Sequence, residues 1–589
     1  MQIGTEEHKR LLETARGERP ADLFVRGGTI ANVYSGELHE GDVAVAGSHI
    51  AYVGKSEHAI GPGTVVIDAS GMIVAPGYVE AHSHPWVLYN PVSLAEGVLP
   101  LGTTTIVADN LFFFMQMGPE GFSAMADSLK ELPLNYLWVV RLASQSRFPG
   151  EDEMFRLERI HELLKRDDVV GTAEITSWPS LAAGDPTLLA GISAAKAEGE
   201  ISDGHMGGAS EARLGEVAAA GIDADHEAIT REEVLNRLRI GLWTMLRNSS
   251  LRPDLPELLR VVTEDRVSTQ RLIMTTDGPA PQYVAEHGFV DGLLRTAVEC
   301  GVPPMQALQM VTINPATLLR LDGQLGGIAV GRRANLLLLS DLVSFRPETV
   351  ITGGQVVARE GRLITPLSAM GWDDYGSRPR FSKSLHLADP GLYPLKASGT
   401  VAEVTAIHLE SAVITSRRDV TVRVKDGILD PGPGLLHAAL VEREGAWISR
   451  ALVSGFADNL EGLASTYNTT THLLVLGCWP EAMAQASQRV REIGGGIAVV
   501  QDGKIVYELQ LPITGMMSEL SFNEVARRNE HLSRVVANRG YEFHDILYTL
   551  LFLTCDFLPA LRLTPLGLLD VKTAHVLVPA EELVASEPD

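Results

Sequence analysis

The feature that most constrains this sequence of 589 residues is an alternation, from Pro76 onward, of short apolar segments with longer helical stretches. Parallel strands need such crossover connections, which are usually helices. The candidate strands are GYVEAH, TTTIVAD, LWVVRLA, VVGTAEI, EISDGH, IDADH, GLWTMLR and RLIMTTD. Because eight parallel strands close a (β/α)8 barrel, the pattern predicts a TIM-like barrel over residues 76–320.

Different patterns flank the predicted barrel. Residues 21–75 and 321–368 contain short β-branched runs separated by glycine-rich turns, which predicts one small composite β-sandwich domain built from both segments. Residues from about 367 to 400 are rich in Pro, Ser and Gly and are interpreted as a linker. Residues 400–589 are predicted to form a C-terminal mixed α/β domain. The predicted fold class is therefore α/β with more than one domain, as the length also favours.

The composition excludes some kinds of partner. Its 49 Lys and Arg residues against 74 Asp and Glu give a net charge of −25, which disfavours binding to nucleic-acid polymers and anionic lipid surfaces. No segment is apolar for long enough to span a bilayer, whereas a small neutral heterocycle is compatible with this charge. The charged N-terminus and the three cysteines, Cys300, Cys478 and Cys555, predict a cytoplasmic protein. A homo-oligomer, a dimer or larger, is the expectation for a cytosolic enzyme.

Two histidines one residue apart lie at the end of the first predicted barrel strand, in Glu80-Ala81-His82-Ser83-His84. Side chains alternate along a strand, so His82 and His84 point the same way and can reach one metal ion. Taken alone, such a pair also arises by chance.

Further candidate ligands end other predicted strands: Glu174, His205, His226 and Asp277. Catalytic side chains of a barrel collect at the C-terminal strand ends, so these four are predicted to converge with the histidine pair. Each has a simpler alternative, since a buried His can bond a backbone carbonyl and a strand-end Asp can cap a helix. Coincidence at five strand ends is much less probable than coincidence at one.

Four imidazoles and two carboxylates without cysteine suit Mn, Fe or Zn, and a bridging carboxylate permits two ions. Such divalent ions would lower the pKa of water from 15.7 toward about 7 and supply hydroxide at neutral pH. Asp277 would take the proton from that water and pass it to the leaving group. Asp277 and His226 are the candidate catalytic residues.

Several motifs together resemble the amidohydrolase superfamily. They are the run from Pro76 to His84, GTTTIVAD, LQMVTINPA and GGIAVGRRANLLLL. Within the superfamily, Gly-Thr-Ala-Glu174, Asp-Gly-His205, Ala-Asp-His226-Glu227 and the C-terminal stretch EIGGGIAVVQDGKIVYELQLPITGMMSE are most similar to the bacterial adenine deaminases. The resemblance spans about residues 23–571. It implies a bridging Glu174 and hydrolytic deamination of a 6-aminopurine, in which hydroxide attacks the amidine carbon, a tetrahedral intermediate forms and ammonia leaves.

The sequence departs from that family at three places. A Glu-Ser-Ser run usually follows the histidine pair, where this chain has Pro85-Trp86-Val87-Leu88. Asp-Pro-His-Glu usually follows strand two, where this chain has Asp109-Asn110-Leu111-Phe112, and the Asp-Asp pair of strand eight is Asp277-Gly278. Trp86, Asp109 and Phe112 are candidate substrate contacts. Ordinary core packing is the alternative for residues 111–115, because aromatic side chains are usually buried.

The sequence thus predicts a metal-dependent aminohydrolase that acts on adenine or a related amino-substituted heterocycle. One alternative keeps the fold but hydrolyses a cyclic amide or another C–N bond, since the same hydroxide and metal serve both reactions. Another is a non-catalytic relic of the fold, against which the six intact candidate ligands argue.

Overall fold

The computed structural model describes residues 3–583, so the last six residues of the predicted C-terminal domain lie outside the described residues. The chain begins with one helix and five strands. They are α1 (Thr5–Ala15), β1 (Leu23–Asn32), β2 (Glu37–Ala46), β3 (His49–Gly54), β4 (Val65–Asp68) and β5 (Ile73–Pro76).

Eight parallel strands then form one sheet in which each strand pairs with its neighbour in sequence. They are β6 (Tyr78–Ser83), β7 (Thr103–Asp109), β8 (Asn135–Val140), β9 (Val169–Ile175), β10 (Ile201–Gly204), β11 (Ala224–Asp225), β12 (Trp243–Arg247) and β13 (Leu272–Thr275). The first and last strands are also neighbours, so the sheet curls into a nearly closed barrel. All eight predicted strands are confirmed.

Helices connect and surround the barrel strands. They are α2 (Pro91–Val98), α3 (Leu111–Leu129), α4 (Glu151–Met154), α5 (Leu157–Leu164), α6 (Trp178–Ala182), α7 (Pro186–Glu198), α8 (Glu211–Ala219), α9 (Arg231–Arg239), α10 (Leu255–Leu258), α11 (Arg260–Thr263), α12 (Pro281–His287), α13 (Val290–Glu299), α14 (Pro304–Met310) and α15 (Ile313–Leu318). Short 3-10 helices lie at Leu99–Leu101 and Thr269–Arg271. Within the described range, no helix combines the length and apolar character that crossing a membrane requires.

The barrel interior is a packed apolar core. Every strand contributes at least one buried side chain to it, among them Ala81, Val107, Val139, Ala173, Ile201, Ala224, Met245 and Ile273. Because side chains fill the centre, polar groups can collect only at the strand ends, where the sheet meets the loops.

Four strands after the barrel complete the sheet that β1–β5 begin. They are β14 (Leu336–Leu339), β15 (Pro347–Thr352), β16 (Gln355–Arg359) and β17 (Arg362–Leu363). The junction is an antiparallel pairing of β14 with β5, in which Leu338 lies opposite Val74. A single nine-stranded sheet therefore contains strands from both sides of the barrel, as the composite β-domain prediction required.

The Pro-rich segment that follows has two 3-10 helices, Trp372–Tyr375 and Pro390–Leu392. It packs closely rather than lying free, since Trp372, Leu387 and Tyr393 are buried. The Tyr375 hydroxyl donates to Ser128 Oγ on α3 at 2.8 Å, which ties the segment to the barrel.

The C-terminal part contains a ten-stranded sheet, a three-stranded sheet and three helices. Its elements are β18 (Val401–Leu409), β19 (Thr415–Lys425), β20 (Ile428–Asp430), β21 (Leu435–Val441), β22 (Trp447–Ser454), β23 (Gly462–Ser465), β24 (Leu473–Gly477), α16 (Pro480–Glu492), β25 (Gly496–Gln501), β26 (Lys504–Gln510), α17 (Phe522–Ala537), α18 (Ile546–Phe552), β27 (Leu561–Thr564), β28 (Gly567–Asp570), β29 (His575–Pro579) and β30 (Glu581–Glu582). Helix α17 packs on α12 and α2 of the barrel. The predicted α/β fold class is confirmed, and the bounds of the individual domains stay predictions.

The seam of the barrel, between β6 and β13, is closed by the carboxylate of Glu80. No backbone pairing joins these two strands in the described part of the chain. Glu80 is fully buried and accepts hydrogen bonds from the Thr275 hydroxyl at 2.5 Å, the Thr276 N–H at 2.9 Å and the His82 N–H at 3.1 Å. Burial raises the pKa of Glu80, although these donors work against the rise.

We expect Glu80→Leu to lower the free energy of unfolding by about 2–4 kcal/mol, because it removes the acceptor of the buried His82 and Thr276 N–H groups, whereas the Thr275 hydroxyl can still donate to His82 O. Glu80→Gln keeps an acceptor oxygen, so its free energy of unfolding should fall by clearly less. Urea unfolding followed by tryptophan fluorescence measures the difference. A Leu variant that unfolds at the same urea concentration as the wild type would show that the seam does not depend on this carboxylate.

Candidate metal centre

Polar side chains gather where the barrel strands end. Seven of the eight strands contribute one such residue and β6 contributes two, so that strand order alone places them around one mouth: His82 and His84, Asp109, Arg141, Glu174, His205, His226, Arg247 and Asp277. All six predicted metal ligands belong to this cluster.

One half of the cluster joins β6 to the end of β13. His82 Nε2 and His84 Nε2 lie 3.2 and 3.1 Å from the same oxygen, Oδ1 of Asp277. Both histidines are buried, and their rings are nearly perpendicular with centroids 5.0 Å apart. Two imidazole nitrogens and one carboxylate oxygen thus converge on one point.

Glu174 joins the two halves of the cluster. Its Oε2 lies 2.5 Å from His205 Nδ1 and 3.2 Å from His226 Nε2, whereas its Oε1 lies 3.7 Å from His84 Nε2. Oε2 therefore faces His205 and His226, whereas Oε1 faces His84 and also accepts from Arg141 and Gln145. This is the arrangement of a carboxylate that can bridge two cations.

The backbone turns sharply to bring Asp277 into place. Asp277 has a φ of 53°, a left-handed conformation that is uncommon outside glycine. Gly278 follows with a φ of 65°, and a Cβ there would lie 2.7 Å from His84 Cβ. The departure from the Asp-Asp pair at this position therefore has a steric reason, because a side chain at 278 would collide with a candidate ligand.

Two buried arginines hold the carboxylates. Arg141 donates to Glu174 Oε1 at 2.5 Å and also pairs with Asp109. Arg247 donates to Asp277 Oδ2 at 2.8 Å and pairs with Glu227.

These arginines keep the carboxylates ionised. Burial would raise the pKa of Glu174, but Arg141 and His205 hold that pKa well below its usual range. Burial would also raise the pKa of Asp277, but Arg247 outweighs this effect and holds that pKa well below its usual range. Arg247 binds only Oδ2 of Asp277, which leaves Oδ1 directed at His82 and His84.

Two further carboxylates, those of Asp203 and Asp225, help to position the histidines of the cluster. His82 Nδ1 lies 2.8 Å from Asp203 Oδ2, and both groups are buried. Asp225 accepts from the N–H of Met206 at 2.6 Å and from the N–H of Glu227 at 3.1 Å, so it ties together the loops that carry His205 and His226. Such outer partners fix the ring orientation of a metal-binding histidine.

The cluster fits a metal ion by its donors and its charge. Ligand atoms lie within 4.8 Å of one another in four groups, His82–Glu174–His226, His82–His84–Asp277, His205–His226–Glu227 and His84–Asp109–Glu174. His82 Nε2 is buried and makes no hydrogen bond to any residue between 3 and 583. Burial lowers the pKa of His82, but Asp203 and Asp277 overcome this and raise it well above the usual value, so the cluster favours positive charge.

The three predicted substrate contacts lie beside the cluster. Trp86 is buried, with its ring centroid 4.8 Å from His84 and 4.6 Å from Phe112. Phe112 lies in the first turn of α3 and packs in the main apolar core. Asp109 accepts from the Leu111 N–H with one oxygen and pairs with Arg141 through the other. Their role as substrate contacts stays a prediction.

The C-terminal part of the chain covers this mouth of the barrel. The Tyr548 hydroxyl donates to Gly278 O at 2.6 Å, and the Phe557 ring stands edge-on to His205 with a centroid separation of 5.5 Å. The N–H of Asp556 donates to Gln145 O at 3.1 Å. The centre is thus built by the barrel and roofed by residues 545–557.

Sequence reasoning missed several of these residues. Arg141 and Arg247 end β8 and β12, so the strand-end rule that found the ligands could have found them. Asp203 lies two positions before His205, the spacing that places two side chains on one strand face. No local pattern marks Tyr548 or Phe557.

Comparison with known proteins agrees with this architecture. Residues 73–357 match the amidohydrolase family and residues 412–575 match the adenine deaminase C-terminal domain. A Halalkalibacterium halodurans protein that is provisionally named adenine deaminase is 33% identical over 574 residues, 97% of each chain. The adenine deaminase of Moorella thermoacetica is 33% identical over 579 residues, 95% of this chain and 96% of its own.

Among solved structures, a β-aspartyl dipeptidase of Fervidobacterium islandicum AW-1 aligns with 59% of this chain and 98% of its own, at 18% identity and a TM-score of 0.47. The family rests on the sequence matches, because relatives align over nearly the whole chain and two family models match residues 73–357 and 412–575. The chain belongs to the amidohydrolase family, in the branch that carries the adenine deaminase C-terminal domain.

Proposed function

We propose that this protein is a metal-dependent aminohydrolase that releases ammonia from adenine or a related amino-substituted heterocycle. The names of its full-length relatives and the matching C-terminal domain support this reaction. The observation that carries the proposal is the position of Glu174, whose Oε2 faces His205 and His226 and whose Oε1 faces His84. A cytoplasmic homo-oligomer that takes a small heterocycle is part of the same proposal.

The proposed centre holds two divalent ions of the Mn, Fe or Zn type. His82, His84 and Asp277 would bind one ion, and His205 and His226 the other, with Glu174 between them. Divalent ions here would lower the pKa of a water molecule from 15.7 toward about 7 and so supply a nucleophile at neutral pH.

Asp277 and His226 are the proposed catalytic residues. Arg247 occupies Asp277 Oδ2, so the carboxylate cannot rotate freely and presents Oδ1 to the reacting side. An ionised Asp277 can accept a proton from the attacking water and return it to the leaving amine. His226 is fully buried between Glu174 and Asp203, which fixes its ring beside the bridging carboxylate.

The direct test is ammonia release by metal-loaded protein from a panel of aminopurines, aminopterins and aminopyrimidines. We expect turnover of at least one of them, with adenine as the first candidate. Product analysis separates the cyclic-amide alternative, because ring opening yields a carboxylate and no free ammonia. A protein that neither holds a transition metal nor releases ammonia would contradict the proposal and favour a relic of the fold.

Glu174→Gln should reduce the bound metal from two ions per chain to one or none and abolish most activity, because a neutral amide cannot bridge two cations. Elemental analysis of the purified protein gives the ion count. The matched control is His161→Asn, since the His161 side chain on α5 is 44% exposed and pairs with Glu198, which is not a proposed ligand. Two ions per chain in the Glu174 variant would rule out the bridging role.

Asp203→Ala should weaken metal affinity by about 10–100-fold, because His82 loses the partner that fixes its ring. Asp203→Asn retains an acceptor oxygen and should lie between this variant and the wild type. Titration with a competing chelator measures the affinity, and Asp167→Ala, at an exposed aspartate, serves as the control. Equal affinities in all four proteins would remove Asp203 from the centre.

A further inference from the structure

The proposed centre is open to solvent on one side. The side chains of His205 and Asp277 are 15% and 13% exposed, whereas Glu174 is 2% exposed and His226 is fully buried. A substrate must therefore approach along the side of His205 and Asp277.

The C-terminal part borders that side at both residues. Phe557 stands edge-on to His205, with ring planes at 86°, and its own ring is only partly buried. Tyr548 donates to the backbone oxygens of Gly278 and Asp277 at 2.6 and 3.2 Å. Phe557 is thus an aromatic surface at the opening. Its ring contacts Phe552, which in turn contacts Tyr548.

A second anchor fixes the loop that carries Phe557. Asp556 donates through its N–H to Gln145 O at 3.1 Å and accepts from the Arg147 N–H at 2.8 Å. The loop therefore contacts the barrel at the end of β13 and again after β8, on both sides of the opening. Phe557 has a defined position relative to the candidate ligands.

Gln145, whose backbone oxygen accepts from Asp556, has a side-chain oxygen without a hydrogen-bond partner in the described part of the chain. It is 2% exposed, and its Nε2 donates to Glu174 Oε1 at 3.1 Å, which sets the orientation of the amide. Its Oε1 is buried and has no hydrogen-bond partner among residues 3–583. A buried acceptor without a donor is unfavourable, so a ligand that supplies an N–H here gains affinity.

We propose that Gln145 and Phe557 together recognise the substrate. Gln145 Oε1 accepts an N–H of the heterocycle, and Phe557 packs against its flat ring, so specificity is divided between the barrel and the C-terminal part. The substrate class is a planar heteroaromatic ring with an N–H near the reacting amino-bearing carbon. This inference rests on the proposed function.

The test compares Phe557→Leu and Gln145→Met with the wild type, using the best substrate of the amine panel and its deaminated product as a binding probe. We expect Phe557→Leu to raise KM and weaken product binding by about tenfold with kcat little changed, as for loss of one aromatic contact. Phe557→Tyr should restore binding. Gln145→Met should lower kcat/KM by about 10–100-fold.

The control is Phe543→Leu, a partly buried aromatic on the same segment that contacts Tyr541 rather than His205. The number of bound metal ions per chain must equal that of the wild type in every variant. This separates an effect on substrate recognition from damage to the metal centre. Unchanged KM and product binding in both test variants would overturn the inference and leave the proposed function standing. A wild type that neither turns over nor binds any heterocycle of the panel would overturn both.

Discussion

The structure depends on the compensation of negative charge in one buried volume. Five carboxylates meet at the mouth of the barrel: Asp109, Glu174, Asp203, Glu227 and Asp277. Like charges repel strongly where water is excluded, so such a cluster is stable only with cations among its members. Arg141 and Arg247 supply two from within the chain. Burial lowers the pKa of His82, but Asp203 and Asp277 raise it well above its usual value, so negative charge is still in excess there. The demand for further positive charge is the physical basis for proposing metal ions here.

Much of the fold and of this centre could be predicted from sequence because a parallel barrel obeys a simple spatial rule. Every strand runs the same way, so residues that end successive apolar segments must meet at one edge. The alternation of apolar and helical segments predicts all eight strands, and the rule then brings His82, His84, Glu174 and Asp277 together. It served less well for Arg141 and Arg247, which obey the same rule but carry the opposite charge to a metal-binding carboxylate.

Other features depend on contacts that no single sequence displays. Tyr548 and Phe557 lie about 270 residues or more beyond Asp277 and His205, and only the packing of the C-terminal part on the barrel brings them near. The exchange of an acidic residue for Gly278 is intelligible only when the position of His84 is known. Phe112 likewise lies in the first turn of a core helix, and its aromatic character alone does not distinguish core packing from contact with a substrate.

The composite sheet has a consequence for how the chain is made. Strand β5 ends at Pro76 and pairs with β14, which begins at Leu336. A ribosome adds about 5–20 residues per second, so the roughly 260 residues in between take about 13–52 s to emerge. During that interval the first strands present an open hydrogen-bonding edge, which is a template for aggregation. The order of the strands therefore leaves this edge unpaired until the whole barrel has been synthesised.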